Sequence, residues 1–241
     1  MAIYLYELSS SDYWFPYPED AMDDPNGLLA FGGDLHPERI FAAYQQGIFP
    51  WFGPQEPILW WSPAPRAVFD PVSYRPSRSV RKFQRKAQYT VTLNRATSSV
   101  IANCASTRST EETWLNEDMI KAYIRLSEQG ICHSVEVWRG SELVGGLYGL
   151  CIGQMFCGES MFSTQDNASK IALWYFCHHF ALHGGKLIDC QVMNDHLLSL
   201  GAFELDRETY LTQLEKLRAQ PLLKDCFTMQ TLREPNISRD P

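Results

Sequence analysis

The chain has 241 residues and no run of about 18 apolar ones, so the sequence offers no membrane-spanning helix. Its opening, MAIYLYELSSSDYWFP, lacks the basic stretch, apolar run and small-residue cleavage site of a secretory signal, and a cytoplasmic protein is expected. The seven cysteines include no CxxC pair, and an odd number argues against a disulfide framework; small buried hydrophobes are expected instead. His133, His178, His179, His183 and His196 show no HExxH or other ligand spacing, so no metal is expected. Neither GxxxxGK(S/T) nor GxGxxG occurs, which removes the usual signs of nucleotide hydrolysis and of a dinucleotide cofactor.

The most informative absence is local. From Pro71 to Thr110 there is no Asp or Glu, while Arg75, Arg78, Arg81, Lys82, Arg85, Lys86, Arg95 and Arg108 supply eight positive charges. With −7 overall, removing these +8 leaves −15 on the rest of the chain. Arg78/Lys82, Arg81/Arg85 and Lys82/Lys86 are four apart, so a helix gathers them on one side, where like charges repel. An anionic partner offsets that cost, and the phosphates of a nucleic acid fit; the alternative is a solvated basic face.

What is present reads as a mixed α/β (α+β) chain. Residues 1–65 are irregular and rich in Pro, Gly and Trp, with one clear helix in HPERIFAAYQQG: Pro37 suits its first turn and Gly47 its end. This part is expected to be a small N-terminal domain. Residues 66–233 carry the basic segment 75–86, a strand at 89–94, a helix capped by Asn116, and three strand-like runs at 133–138, 142–152 and 154–163. A helix from Ala168, a strand at 186–192 and two further helices follow, and 234–241 is expected to be a disordered tail. Strands, helix, strand and helix in this order resemble the N-acetyltransferase superfamily, where parting central strands open a cleft.

The strand reading of KLIDCQV places Leu187, Asp189 and Gln191 on one face and Ile188, Cys190 and Val192 on the other. An acid and an amide inside an apolar strand require hydrogen-bonding partners. In QMFCGESMFS, Glu159 is out of phase with Phe156, Ser160 and Phe162. Read singly, each of these polar residues also suits a satisfied structural role. Were the substrate an aminoacyl ester, they would provide one candidate for each need: Glu159 for its ammonium, the set Phe156, Phe176 and Phe180 for its side chain, and Asp189 with Gln191 to orient an incoming amine. His178 and His179 read as solvent-facing positions of an amphipathic helix, and Asn194 or Asp195 as a helix cap.

PNGLLAFGGDL (25–35), AYQQGIFPWF (43–52), ILWWSPAPRAV (58–68), HSVEVW (133–138), LVGGLYG (143–149), FCGESMFS (156–163) and LIDCQVMNDHLLSLGA (187–202) resemble the leucyl/phenylalanyl-tRNA–protein transferases, in order and over most of the chain. The resemblance implies a bacterial aminoacyltransferase that moves Leu or Phe, and less readily Met, from its tRNA to a protein beginning with Arg or Lys, marking it for degradation. It implies an N-acetyltransferase-like (GNAT-like) C-terminal domain, with Asp189 and Gln191 promoting amine attack and Glu159 near the reacting end. It also implies a side-chain pocket of Leu147, Phe156, Leu173, Phe176, Phe180 and Ile188, and Trp51 and Trp114 near the terminal adenosine unless they simply pack. Arg75, Arg78, Arg81, Lys82, Arg85 and Lys86 would hold the tRNA. An ester donor is already activated, so no cofactor is expected, and nothing suggests more than a monomer. An acetyl-CoA enzyme fits less well, because STQDNASK (163–170) lacks the glycines of a pyrophosphate loop. A cell-wall peptide ligase fits the N-terminal motifs poorly, and a tRNA-binding module without catalysis leaves Glu159, Asp189 and Gln191 unexplained.

Overall fold

The computed structural model describes residues 5–106 and 115–235. In chain order its elements are β1 (Tyr6–Leu8), β2 (Leu28–Gly32), α1 (Pro37–Tyr44), β3 (Phe49–Pro50), β4 (Leu59–Trp61), β5 (Arg66–Phe69), α2 (Arg78–Ala87), β6 (Thr90–Leu93), α3 (Thr97–Ser106) and α4 (Glu117–Glu128). Then come β7 (Cys132–Arg139), β8 (Glu142–Ile152), β9 (Met155–Ser163), α5 (Ala168–Leu182), β10 (Leu187–Asp189), α6 (Asp195–Ser199), β11 (Phe203–Leu205), α7 (Arg207–Arg218) and β12 (Gln230–Thr231).

The fold is mixed α/β. The stretch read as irregular holds a small sheet ordered β1-β2-β4-β3, whose short strands carry no legible alternation. The large sheet is ordered β11-β5-β10-β9-β8-β7-β6-β12. Its centre, β7 to β9, is an antiparallel meander, after which α5 carries the chain over so that β10 returns parallel to β9. The last residues of the expected tail, 236–241, lie outside the described residues.

Alternation along β8 and β9 sorts two cores. Tyr148, Leu150, Met155 and Cys157 face the side of α1, α4, α7 and the small sheet, where Tyr44, Trp60, Tyr123 and Tyr210 are buried. Leu147 and Phe156 face the side of α2 and α5, with Val80, Trp174, Phe176 and Phe180. Phe156, Phe176 and Phe180 are each at most 1% exposed, worth about 1.5–3 kcal/mol apiece in burial. Most residues of α5 are buried, so that helix is not amphipathic. His179 is buried within it, its Nε2 2.7 Å from the Cys226 carbonyl, contrary to the solvent-facing expectation. Gly47, which ends α1, has φ +77, and a Cβ there would stand 2.9 Å from the Tyr210 ring, so α7 packs against this turn only because glycine occupies it.

The caps are local. Asn116 accepts from the Asp118 and Met119 amides, Asn194 from Leu197 and Asp206 from Thr209, each side chain satisfying first-turn donors.

Candidate active site

Between β9 and β10 the large sheet parts. Their pairing runs from Leu187↔Met155 to Asp189↔Cys157 and stops. Beyond that point Gly158 to Ser163, Cys190, Gln191 and Asn194 to Leu197 line a cavity of about 670 Å³. This is the split expected from the element order.

Two local irregularities aim the polar groups. On β9, Gly158 faces Gly149 and Ser160 faces Tyr148, leaving Glu159 as the extra residue of a β-bulge. Simple alternation therefore fails here. Phe156 lies on the α5 side while Ser160 and Phe162 lie on the other, not together as the phase suggested. The freed Glu159 accepts from the Tyr123 hydroxyl at 2.7 Å through Oε2, and Tyr123 in turn meets the Tyr44 hydroxyl at 2.9 Å. Its Oε1 accepts from the Gln191 amide Nε2 at 3.2 Å. Burial raises the Glu159 carboxyl to about 7; the hydroxyls of Tyr123 and Tyr44 pull the other way. Burial and the same negative charge push both tyrosines well above their ordinary range, so they remain donors.

The second irregularity ends β10 at Asp189, three residues before the expected end of the strand. Gln191 takes φ +59, a left-handed conformation uncommon for a residue with a side chain. Asp189 Oδ1 holds it there by accepting the Gln191 backbone amide at 2.9 Å, and the Gln191 carbonyl accepts from Ala67 at 3.1 Å.

Asp189 itself does not line the cavity. It is fully buried, its two oxygens paired with Arg66 Nε and Nη2 at 2.8 Å each, and the Tyr210 hydroxyl donates to Oδ2 at 2.9 Å. Asp189 and Gln191 thus do not lie side by side on one strand face: the acid grips the backbone, and only the amide side chain lines the cavity. Burial, the largest single influence, pulls the Arg66 guanidinium down, but the Asp189 charge and hydrogen bonds together with Tyr210 and Cys157 outweigh it, and the net shift is upward.

The apolar wall is Leu147, Phe156, Leu173, Phe176 and Ile188. Phe180 is not part of that surface; it stands behind it, 5.3 Å from the Phe176 ring and 6.1 Å from Phe156. Trp51 is 45% exposed and tilts against Trp61 at 5.5 Å, away from the cavity lining, and Trp114 lies outside the described residues. Arg78, Lys82, Arg85 and Lys86 are exposed on α2, Arg81 is half-buried, and Arg75 precedes the helix with its guanidinium on the Val72 and Tyr74 carbonyls. Among the described residues none of these six forms an ion pair with an acid. The helix is tied to α5 through Gln84 Nε2, 3.0 Å from the Tyr175 hydroxyl.

Sequence reasoning missed Arg66, Tyr210, Tyr44 and Tyr123. The signal was available in part, since a tyrosine in an apolar stripe needs a partner for its hydroxyl once buried. Phe69, Met161, Phe162 and Leu197 also line the cavity and were not singled out, because strand and helix periodicity does not show which apolar residues border an opening.

An apolar pocket with a carboxyl poised near neutrality at its rim, next to a fixed amide donor, suits acyl-group transfer: one part holds the acyl side chain while the other manages an amine and its proton. The description "Leucyl/phenylalanyl-tRNA protein transferase" matches residues 68–215, and that of the same family's N-terminal domain matches residues 33–64. The leucyl/phenylalanyl-tRNA–protein transferase of Vibrio vulnificus is 64% identical over 98% of this chain and 100% of its own. That of Photobacterium profundum is 61% identical over 98% of this chain and 99% of its own. The chain belongs to the leucyl/phenylalanyl-tRNA–protein transferase family.

Proposed function

We propose that this protein transfers leucine or phenylalanine, and methionine less readily, from its tRNA to the α-amine of proteins beginning with Arg or Lys. The observation that carries the reading is the cavity between the parted strands, apolar at its floor and holding the Glu159–Gln191 pair at its rim. A Leu or Phe side chain fills the floor, and the ester carbonyl then sits beside the pair. The acceptor amine attacks that carbonyl, forming the C–N bond. Its proton passes to Glu159 and on to the ribose oxygen, which leaves as the C–O bond breaks. A carboxyl at about 7 suits a group that takes and returns a proton near neutral pH. Gln191 donates to Glu159 and orients the amine, while Asp189 and Arg66 act from behind by fixing the Gln191 backbone. Much of the acceleration comes from orientation, on the order of several kcal/mol.

The exposed cations of α2 hold the acceptor arm of the tRNA through its phosphates, with little base readout. Trp51 and Trp114 serve the terminal adenosine. Residues 1–65 form the smaller domain and 66–233 the catalytic one, the two family matches meeting between residues 64 and 68. The protein acts as a monomer in the cytoplasm, where charged tRNA is found, and its product carries a destabilising N-terminus. The test is transfer of labelled leucine from leucyl-tRNA to a protein beginning with Arg, beside the same protein with its N-terminus acetylated. Label on the free amine alone supports the reading. No label on either, with tRNA bound, overturns it in favour of a binding role.

A further inference from the structure

His179, His183 and Cys226 each offer a ligand atom within 4.8 Å of the other two, although Cys226 is remote from α5 in sequence. His179 and His183 are one helical turn apart, at the end of α5, with ring centroids 4.0 Å apart. Each imidazole has one nitrogen within 2.7 Å of a backbone carbonyl: His179 Nε2 on Cys226, and His183 Nδ1 on His179. A hydrogen bond from one ring nitrogen to a carbonyl fixes the tautomer and leaves the other nitrogen its lone pair, the arrangement usual behind metal-bound histidines. The free Nε2 of His183 also stands 3.7 Å from Asp225 Oδ1, an exposed carboxylate outside the trio that has to swing inward to supply a fourth donor.

We infer that His179, His183 and Cys226, with Asp225, bind one Zn²⁺ ion at the C-terminal end of α5. Two imidazoles, a thiolate and a carboxylate form a borderline-soft set that suits zinc rather than magnesium or calcium. Zinc bond lengths set ligand atoms roughly 3.4–3.6 Å apart, so the trio closes by about an ångström on taking the ion. Cys226 binds the ion as its thiolate, so one proton is released on binding.

The site has a route to the acyl pocket. Phe227, next to Cys226, lies 6.2 Å from the Phe156 ring, 6.5 Å from Phe176 and 6.3 Å from Phe180, and stacks on His133 at 3.7 Å. An ion that ties Cys226 to α5 pins this ring behind the pocket wall, so zinc stiffens the pocket without touching substrate.

The test titrates the untagged full-length protein, reduced and metal-free, with Zn²⁺ against a chromophoric chelator, and with Co²⁺ in the spectrophotometer. The expected result is one equivalent of Zn²⁺ bound, a thiolate-to-cobalt charge-transfer band with tetrahedral visible bands, and a melting temperature raised by the ion. Cys226→Ser should abolish the charge-transfer band. Cys226→Ser and His183→Gln should each weaken Zn²⁺ binding by more than about 100-fold, beyond what loss of an outer partner costs. If Cys226→Ser does not fold, His183→Gln decides the matter alone, because that ring is only half-buried at the helix end. Absence of stoichiometric binding, or binding and cobalt spectra unchanged in both variants, overturns the site.

Discussion

Replacing Asp189 by Ala removes the acceptor of four donors at once: Arg66 Nε and Nη2 at 2.8 Å, and the Tyr210 hydroxyl and Gln191 amide at 2.9 Å. The Arg66 guanidinium then keeps only the Gly47 carbonyl, at 3.0 Å, and its position over the Phe49 and Tyr210 rings. Both partners of the ion pair are at most 1% exposed, so solvent does not screen the loss. Breaking one side of such a pair costs about 3–5 kcal/mol. At this chain length that lowers the melting temperature by roughly 6–20 °C. Arg66→Met/Asp189→Leu leaves no charge behind and should recover most of the stability, since apolar replacements of buried pairs are often neutral. It should not recover transfer, because the Gln191 backbone still lacks its anchor. The assay is urea unfolding followed by tryptophan fluorescence, with single-turnover leucine transfer measured where each variant is folded. An Asp189→Ala variant within about 1 kcal/mol of wild type would refute the stability argument. A double variant that folds and transfers at the wild-type rate would remove Asp189 from the positioning of Gln191.

Glu159→Gln should flatten the pH dependence of transfer. In the wild type the carboxyl titrates near 7 rather than 4.5, so the folded protein holds a proton that the unfolded chain has already lost. Stability therefore falls as pH rises from 4.5 to about 7, while transfer, which needs the carboxylate, rises through the same upper limit. A pH–rate profile unchanged by Glu159→Gln would remove this group from the reaction. Tyr123→Phe strips a donor from the carboxylate and should move the midpoint of that profile upward. Leu173→Trp should fill the floor of the cavity and reduce leucine and phenylalanine transfer at least tenfold, with tRNA binding unchanged in a filter assay. Lys82→Glu/Arg85→Glu should weaken tRNA binding and flatten its salt dependence by about one unit of slope for each phosphate no longer neutralised; equal slopes for variant and wild type would exclude α2.

Helices and central strands were legible from the sequence because each rests on local chemistry, and the family because its motifs run in order along the chain. The cap residues, the long strands β7 to β9, the stripe Leu173–Phe176 and the run of cations on α2 declare themselves within a turn or two of chain. Much of the site was legible too: Glu159 and Gln191 stand out as polar residues in apolar surroundings. Their geometry was not. Strand periodicity assumes regular pairing, and both residues sit where pairing breaks, Glu159 in a bulge and Gln191 in a left-handed turn beyond the end of β10. Whether Asp189 faces the substrate or the interior depends on Arg66 and Tyr210, residues from β5 and α7 that only the packed sheet brings to it. The same limit hid the His179–His183–Cys226 cluster, since Cys226 reaches α5 through tertiary packing. The order of residues along the chain settled which groups this protein has to work with. Packing settled which of them share a cavity, because a carboxylate's role depends on the charges and donors that long-range contacts place around it.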